Sequence, residues 1–462
     1  MPDLLIVGSG SAGVAAAIEA AQRGAEVAVV EGGTLGGTCV NVGCVPSKTL
    51  LRAAESYHRA RSSPFAGVKP GAATLDFGAV IEQKDALVTE LRQHKYADVL
   101  DGLGVKVLHA QARFDEAGHL TLDGEPLAAG RILLATGAEA SLPPIPGLRD
   151  AEPWTYVEAL SPDALPERLL VIGAGAIGLE LAQAYARLGS RVSVLEALPR
   201  IAPAEDEQLA AALHTTLTEE GIELVTGARV ERVGRSENGE YRATFTQAER
   251  SRTLTGDRLL IATGRAARTR TLALEHAGVR LAPTGAIEVD DTLATSNPRV
   301  YAAGDAAGLP QFVYVAAHSG RVAARNALGD ATPLDLTALP RVTFTDPALA
   351  AVGLTEREAR ASHGDDVRVG ILPMNQVPRA LAAFDTRGLI KLVVGGDGAV
   401  LGVHILAPEA GDLLQEGILA VKYELNYRDL IDTFHPYLTG AEGLRLAAQT
   451  LDTDVAQLSC CA

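Results

Sequence analysis

Apolar and polar positions along this chain repeat one unit twice. Leu4–Val7 is a short apolar run closed by Gly8, and it predicts a buried parallel strand. Gly8-Ser-Gly10-Ser-Ala-Gly13 follows, then a helical stretch to Arg23 and a second strand, Glu26–Val30, ending on Glu31. The same order recurs in Leu169–Ile172, Gly173-Ala-Gly175-Ala-Ile-Gly178, a helix to Leu188, and Val192–Leu195 ending on Glu196. The offset from first glycine to acid is identical in the two copies. Gly8 and Gly173 permit a tight turn, and Gly10 and Gly175 let a pyrophosphate approach the backbone. Gly13 and Gly178 let helix and strand pack closely. Each helix N-terminus then offers free N–H groups and a positive dipole end to phosphate. Glu31 and Glu196 are placed to accept from a ribose diol. Two dinucleotides are expected on one chain.

Punctuation divides the rest. Leu142–Gly147 is a proline-rich link after the strand Ile132–Ala135 and its Thr136-Gly137 ending, and Leu259–Gly264 repeats that ending. After Leu339-Pro340 the pattern changes to alternating strands, Arg341–Thr345, Leu389–Val394 and Val400–Ile405, with two helices. The fold class predicted is α/β, with two Rossmann-like units followed by an α+β domain.

Composition narrows the function. Apolar residues make 47% and charged residues 21%, an ordinary soluble balance. A net charge of −16 argues against nucleic acid or anionic lipid as partner. No apolar run has the length of a membrane span. The opening MPDLLIVGSG lacks a basic leader and a cleavage site, so it reads as the first strand and not as a signal peptide. The four cysteines form two pairs, Cys39 with Cys44 and Cys460 with Cys461. That is too few for a disulfide scaffold and points to redox or metal chemistry in a reducing cytoplasm.

Cys39 and Cys44 lie five residues apart, a rise of about 7.5 Å in a regular helix. A disulfide needs Cα atoms roughly 4.4–6.8 Å apart. If the two pair, either the backbone leaves helix geometry between them or Cys39 lies just before the helix. A thiolate at a helix N-terminus has a lowered pKa. The competing reading is two buried structural cysteines; Gly36, Gly37, Gly43 and Pro46-Ser47-Lys48 favour the reactive one. Cys460 and Cys461 are adjacent and cannot easily close an unstrained disulfide with each other. They offer two soft thiolates, a donor set for a soft metal.

GGTCVNVGCVPSK, with both glycine turns, both Ala-Thr-Gly endings and Ala302-Ala-Gly-Asp305, resembles the flavoprotein pyridine nucleotide-disulfide oxidoreductases, and the likeness covers essentially the whole chain. It implies an FAD-binding domain from 1–147 and 269–338, a nicotinamide-binding domain from 148–268, and a dimerisation domain with a Cys-Cys tail from 339–462. By the same resemblance Cys44 is the thiolate facing the flavin and Cys39 the exposed interchange thiol. Lys48 lies near the flavin paired with Glu180, and Asp305 holds the ribityl or phosphate region. Gly33, Thr38, Ala112 and Val313 fall at further FAD contacts.

Disulfide-reducing members of that family carry a catalytic His followed by Glu five residues later. In Phe434–Glu442, counting back from Glu442 puts Tyr437 in the base position; His435 takes it only if the register slips. A phenol near pKa 10 is a poor base at neutral pH. Tyr437, Tyr96 and the terminal dithiol resemble members that reduce Hg(II). The implied activity is reduction of Hg(II) to Hg(0) by NAD(P)H through FAD. Cys460 and Cys461 of one subunit would capture the metal and pass it to Cys39 and Cys44 of the other in a homodimer. With no metal-binding CxxC module ahead of the first glycine turn, the tail is expected to meet Hg–thiol complexes directly. Reduction of lipoamide or a related disulfide, and metal buffering without turnover, are the competing readings. Glu196 suits a ribose 2′-OH and would repel a 2′-phosphate, with Arg200 close enough to soften that, so the reading leans to NADH over NADPH.

Overall fold

The structure is a computed structural model and describes residues 1–457. Apolar runs with no polar alternation must be covered on both faces, and both glycine-turn units accordingly build parallel sheets. The first sheet runs Val300–Ala302, Arg131–Leu134, Leu4–Val7, Val27–Glu31, Lys106–His109. The second runs Arg258–Ile261, Arg168–Ile172, Arg191–Leu195, Glu223–Val225. In each, the strand that feeds the glycine turn lies between the acid-bearing strand and the Ala-Thr-Gly strand. The turns therefore abut the same neighbour. A Cβ on Gly8 would lie 2.4 Å from the Ala135 carbonyl oxygen, and one on Gly173 would lie 2.4 Å from that of Ala262.

The edge strand Val300–Ala302 comes from chain that has already passed through the second unit. Its return brings the helix Val313–Ala327 onto the helix Ser11–Gln22, and Leu4, Ile6, Ala16, Ala17, Val29 and Ala323 share one core there. The second unit also carries an antiparallel meander, Arg229–Arg235, Tyr241–Gln247 and Arg250–Gly256, absent from the sequence reading.

The region after Pro340 departs from expectation in detail. Its antiparallel sheet has five strands in the order Arg341–Thr343, Ala348–Gly353, Val400–Ala407, Leu389–Val394, Arg368–Pro373. Ala348–Gly353 was missed because its small residues are nearly all buried and show no alternation, and Arg368–Pro373 because Gly370 and Pro373 argue against a strand. The first strand stops at Thr343 and not Thr345, since the Phe344 and Asp346 N–H groups turn to Glu180 and Gln183 on the helix Ala176–Leu188. Among the described residues five α-helices accompany the sheet where two helices were expected: Glu356–His363, Pro378–Ala383, Ala410–Lys422, Tyr427–Asp432 and Glu442–Gln449. Buried Lys391 joins this region to the second unit, with Asp206 at 2.9 Å and Glu356 at 2.8 Å. Among the described residues no helix is long and apolar enough to cross a membrane.

Candidate active site at the dithiol

Cys39 sits within the short helix Gly37–Val42, and Cys44 opens the helix Cys44–Arg61. Gly43 separates them at φ −132° and ψ −116°, outside helical geometry. A Cβ on Gly43 would lie 2.8 Å from the Thr38 carbonyl oxygen and 3.1 Å from Cys39 Cα, so only glycine lets the two helices meet this closely. Of the two geometries open to the sequence, the backbone break is the one adopted. Both cysteines are free thiols. The two sulfurs are close enough for the Cys39 thiol to hydrogen-bond to Cys44. That bond, the Lys48 charge and the Cys44 backbone N–H lower Cys44 to about 7 against the opposing effect of burial. The same bond, then burial, push the Cys39 thiol up. One sulfur is thus a thiolate near neutral pH and the other its proton donor.

Lys48 lies one turn beyond Cys44 on the same helix. Its Nζ is 2.6 Å from Glu180 Oε2 on the helix Ala176–Leu188, and the Glu180 side chain is only 6% exposed. Lys48 borders a crevice with Arg52, Gln183 and Phe344, and it does not line the groove that receives the dithiol. Tyr96 stands on a π-helical turn, Gln93–Ala97, the kind of local insertion that re-aims a side chain. Its phenol is pushed above the usual range by burial and by the nearby Cys39 and Cys44, with the Ser11 hydroxyl as hydrogen-bond partner.

Cys39 and Cys44 open on a groove lined by Gly10, Thr38, Gly137, Asp305 and Val313, together with Arg265. A wider groove, sharing Gly10, Thr38 and Gly137 with it, is bordered by Gly8, Glu31, Gly33, Ala112 and Thr136. Gly13 lies beneath, where a Cβ would be 1.9 Å from the Gly8 carbonyl oxygen. The groove suits a dinucleotide on two counts. Nothing but Gly37 Cα, at 3.9 Å, stands near the place of a Cβ on Gly10. Arg265 Nε is buried with no partner, while Arg265 Nη1 donates to Asp305 at 2.7 Å. Burial holds the Asp305 carboxyl above its usual range despite Arg265. Arg265 escaped the sequence reading, although it directly follows the second Ala-Thr-Gly264 ending.

The two acids perform one local task twice. Glu31 accepts from the Ser9 N–H at 3.0 Å and the Gly33 N–H at 2.7 Å. Glu196 accepts from the Ala174 and Leu198 N–H groups, each at 2.8 Å. Both carboxylates brace the glycine turn against the following loop. In the second unit a Cβ on Gly178 would be 2.0 Å from the Gly173 carbonyl oxygen, whereas Gly175 and Gly264 face open space. Arg200 donates to the Pro203 carbonyl at 2.8 Å and lies 3.2 Å from Glu207.

The segment Phe434–Glu442 is elsewhere in the chain's own fold. His435 is occupied: Nδ1 faces the Thr433 carbonyl at 2.9 Å, Nε2 faces Glu416 at 2.9 Å, and the side chain is 4% exposed. This ring is not presented as a base. Tyr437 is 57% exposed. Glu442 is buried and accepts from the Leu438 N–H at 2.6 Å, bracing its own loop. Neither Tyr437 nor Glu442 lines the dithiol groove. Cys460 and Cys461 lie outside the described residues. Among the described residues no cluster of three or more metal-ligating side chains exists.

A fold with two dinucleotide turns and a thiolate–thiol pair at the first defines a class, and comparison with known proteins agrees. The family described as pyridine nucleotide-disulphide oxidoreductase matches residues 2–320, and that family's dimerisation domain matches residues 339–448, so the chain belongs to this family. Among curated relatives, the mercuric reductase of Staphylococcus aureus is 43% identical over 100% of this chain and 84% of its own length. The mercuric reductase of Shigella flexneri is 46% identical over 99% of this chain and 82% of its own length. That of Streptomyces lividans is 45% identical over 100% and 98% respectively. Among solved structures, the Cu(II) complex of the HOCl-induced flavoprotein disulfide reductase RclA from Escherichia coli is similar with a TM-score of 0.85 and 31% identity, covering 96% of this chain and 98% of that one.

Proposed function

We propose that this chain reduces Hg(II) to Hg(0) with NADH as electron donor, as one subunit of a homodimer whose active sites are shared. The observation that carries the reading is full-length identity of 43–46% to proteins named mercuric reductase. The dithiol geometry and the occupied His435 add to it. The division into FAD-binding 1–147 and 269–338, nicotinamide-binding 148–268 and interface 339–462 goes with this reading, as does a cytoplasmic location.

FAD bound in the groove supplies two-electron transfer between the hydride of the nicotinamide and the metal at the dithiol. The chain's own residues do the rest. Cys460 and Cys461 of the partner capture Hg(II) from small thiols by ligand exchange. Passage to Cys39 and Cys44 is then intramolecular and proceeds at high effective concentration. Cys44 arrives as thiolate, Cys39 releases its proton on binding, and two Hg–S bonds form. Two electrons break both bonds and return two thiolates, so one NADH and one Hg(II) yield NAD⁺, one proton and Hg(0). Lys48, fixed by Glu180, favours the thiolate. Tyr96, and Tyr437 with Glu442 of the partner, shape the inner site without supplying a base. Glu31 and the residues of the first groove hold FAD; Gly173, Gly175, Gly178, Glu196 and Gly264 hold the nicotinamide nucleotide. Glu196 is the ground for preferring NADH, because its charge opposes a 2′-phosphate.

The test offers the holoprotein Hg(II) in excess thiol or oxidised lipoamide and follows NADH oxidation. Fast oxidation with Hg(II) and little with lipoamide is expected. The reverse order would make the protein a disulfide reductase. Cys460→Ala with Cys461→Ala should slow turnover with Hg(II) held by bulky thiols and spare reduction by NADH; unchanged turnover would remove the relay.

A further inference from the structure

Phe344 stands where three parts of the molecule meet. It leaves the strand Arg341–Thr343, faces the helix Ala176–Leu188 and covers Lys48 of the dithiol helix. Its ring centroid is 4.5 Å from Lys48 Nζ. Its backbone N–H donates to Glu180 Oε1 at 2.9 Å, while Lys48 meets the other oxygen of that carboxylate at 2.6 Å. One residue therefore touches both halves of the pair, the cation through the ring face and the acid through the backbone.

The backbone at Phe344 is itself pinned. The Asp346 N–H donates to Gln183 Oε1 at 2.8 Å, and Gln183 Nε2 donates to the Asp346 carbonyl at 2.8 Å. Arg187 Nη1 donates to Asp346 Oδ2 at 2.9 Å. Glu180, Gln183 and Arg187 follow one another at helical spacing, so residues 344–346 lie along that helix as a splint. Lysine by contrast is a point charge on a flexible stem, and a single carboxylate fixes it in distance more than in direction. A ring face beneath the ammonium supplies the direction, because the quadrupole attracts the cation along the ring normal.

We propose that Phe344 is a positioning residue that holds the Lys48 ammonium against Glu180 and within reach of the dithiol one turn back on the same helix. The proposal stands on the ring, ammonium and carboxylate geometry, and it rests on the reading of Cys39 and Cys44 as the working dithiol. It makes the third region of the chain a contributor to dithiol chemistry, through a residue that no glycine turn or cysteine motif marks.

The test uses the reduced holoprotein and follows iodoacetamide alkylation at Cys44 against pH, with fragment mass spectrometry separating Cys44 from Cys39. Phe344→Leu keeps apolar bulk and removes the ring face. Phe344→Tyr keeps the face, and the ring is 44% exposed, which leaves room for the hydroxyl. The alkylation midpoint should rise by about half a unit in Phe344→Leu and stay in place in Phe344→Tyr. In a Lys48→Met background, Phe344→Leu should add nothing, since the effect runs through the ammonium. An unmoved midpoint in Phe344→Leu, or an equal shift with and without Lys48, would overturn the proposal and leave Phe344 a packing residue. A midpoint near the ordinary thiol value in the unaltered protein would overturn the thiolate reading itself, and the proposal with it.

Discussion

The two glycine-turn units share a strand order, a turn and a buttressing acid, and differ in what each carries. In the first, the acid strand leads into Gly36-Gly37, a short helix and the break at Gly43, so that two cysteines are delivered to the groove. In the second, the acid strand leads into the Arg200 loop, which is tied to Pro203 and Glu207 and presents no thiol. The turn is a binding scaffold, and the chemistry is an attachment to one copy of it. The attachment then borrows from the other copy, because Glu180, which steadies Lys48, sits in the first turns of the second unit's helix.

Breaking the attachment should cost most. Cys44→Ser is expected to lower Hg(II)-dependent NADH oxidation by more than about a thousandfold while leaving nucleotide binding to the second unit intact, as equilibrium titration with NADH would show. Breaking the scaffold should separate the two copies. Gly13→Ala and Gly178→Ala meet nearly the same obstruction, and each should destabilise by about 1–3 kcal/mol. Flavin content should fall in the first variant and nucleotide affinity in the second; losses shared equally by both would deny the division of labour.

Smaller changes separate the two units by charge alone. Cys44 is lowered to about 7, so transfer of Hg(II) onto the Cys39–Cys44 pair should rise with pH through that value and level off above it. Lys48→Met removes an opposite charge and should move the midpoint up by about one unit, read from the pH profile of alkylation. Glu196→Gln should change least. Removing one like charge near the 2′ position is worth about 1 kcal/mol in water, so the NADPH to NADH ratio of kcat/KM should rise about fivefold. The equivalent change at Glu31 should affect flavin retention instead.

What could be read before folding was what is local. Glycine turns, the acids that end the next strands and the spacing of Cys39 and Cys44 all lie within short stretches of chain, and their geometry follows from backbone sterics. The break at Gly43 stayed one of two options, because sequence spacing does not say which residue leaves the helix. Arg265 against Asp305, Phe344 against Lys48 and His435 against Glu416 are contacts between distant segments. No periodicity encodes them. Ala348–Gly353 was invisible for a different reason: a strand of small residues buried on both faces has no alternation to detect. Tyr437 and Glu442 were placed by counting, and the fold of the single chain keeps them outside the groove that holds the dithiol.

In the proposed reaction, electrons taken from NADH end on a metal held by the Cys39 and Cys44 sulfurs. The most direct measurement is anaerobic: count NADH consumed and elemental mercury vapour released by the holoprotein supplied with Hg(II) and excess thiol. One Hg(0) for each NADH is predicted, with no vapour from the Cys39→Ala, Cys44→Ala variant. NADH oxidised without vapour, or vapour that persists in that variant, would contradict it.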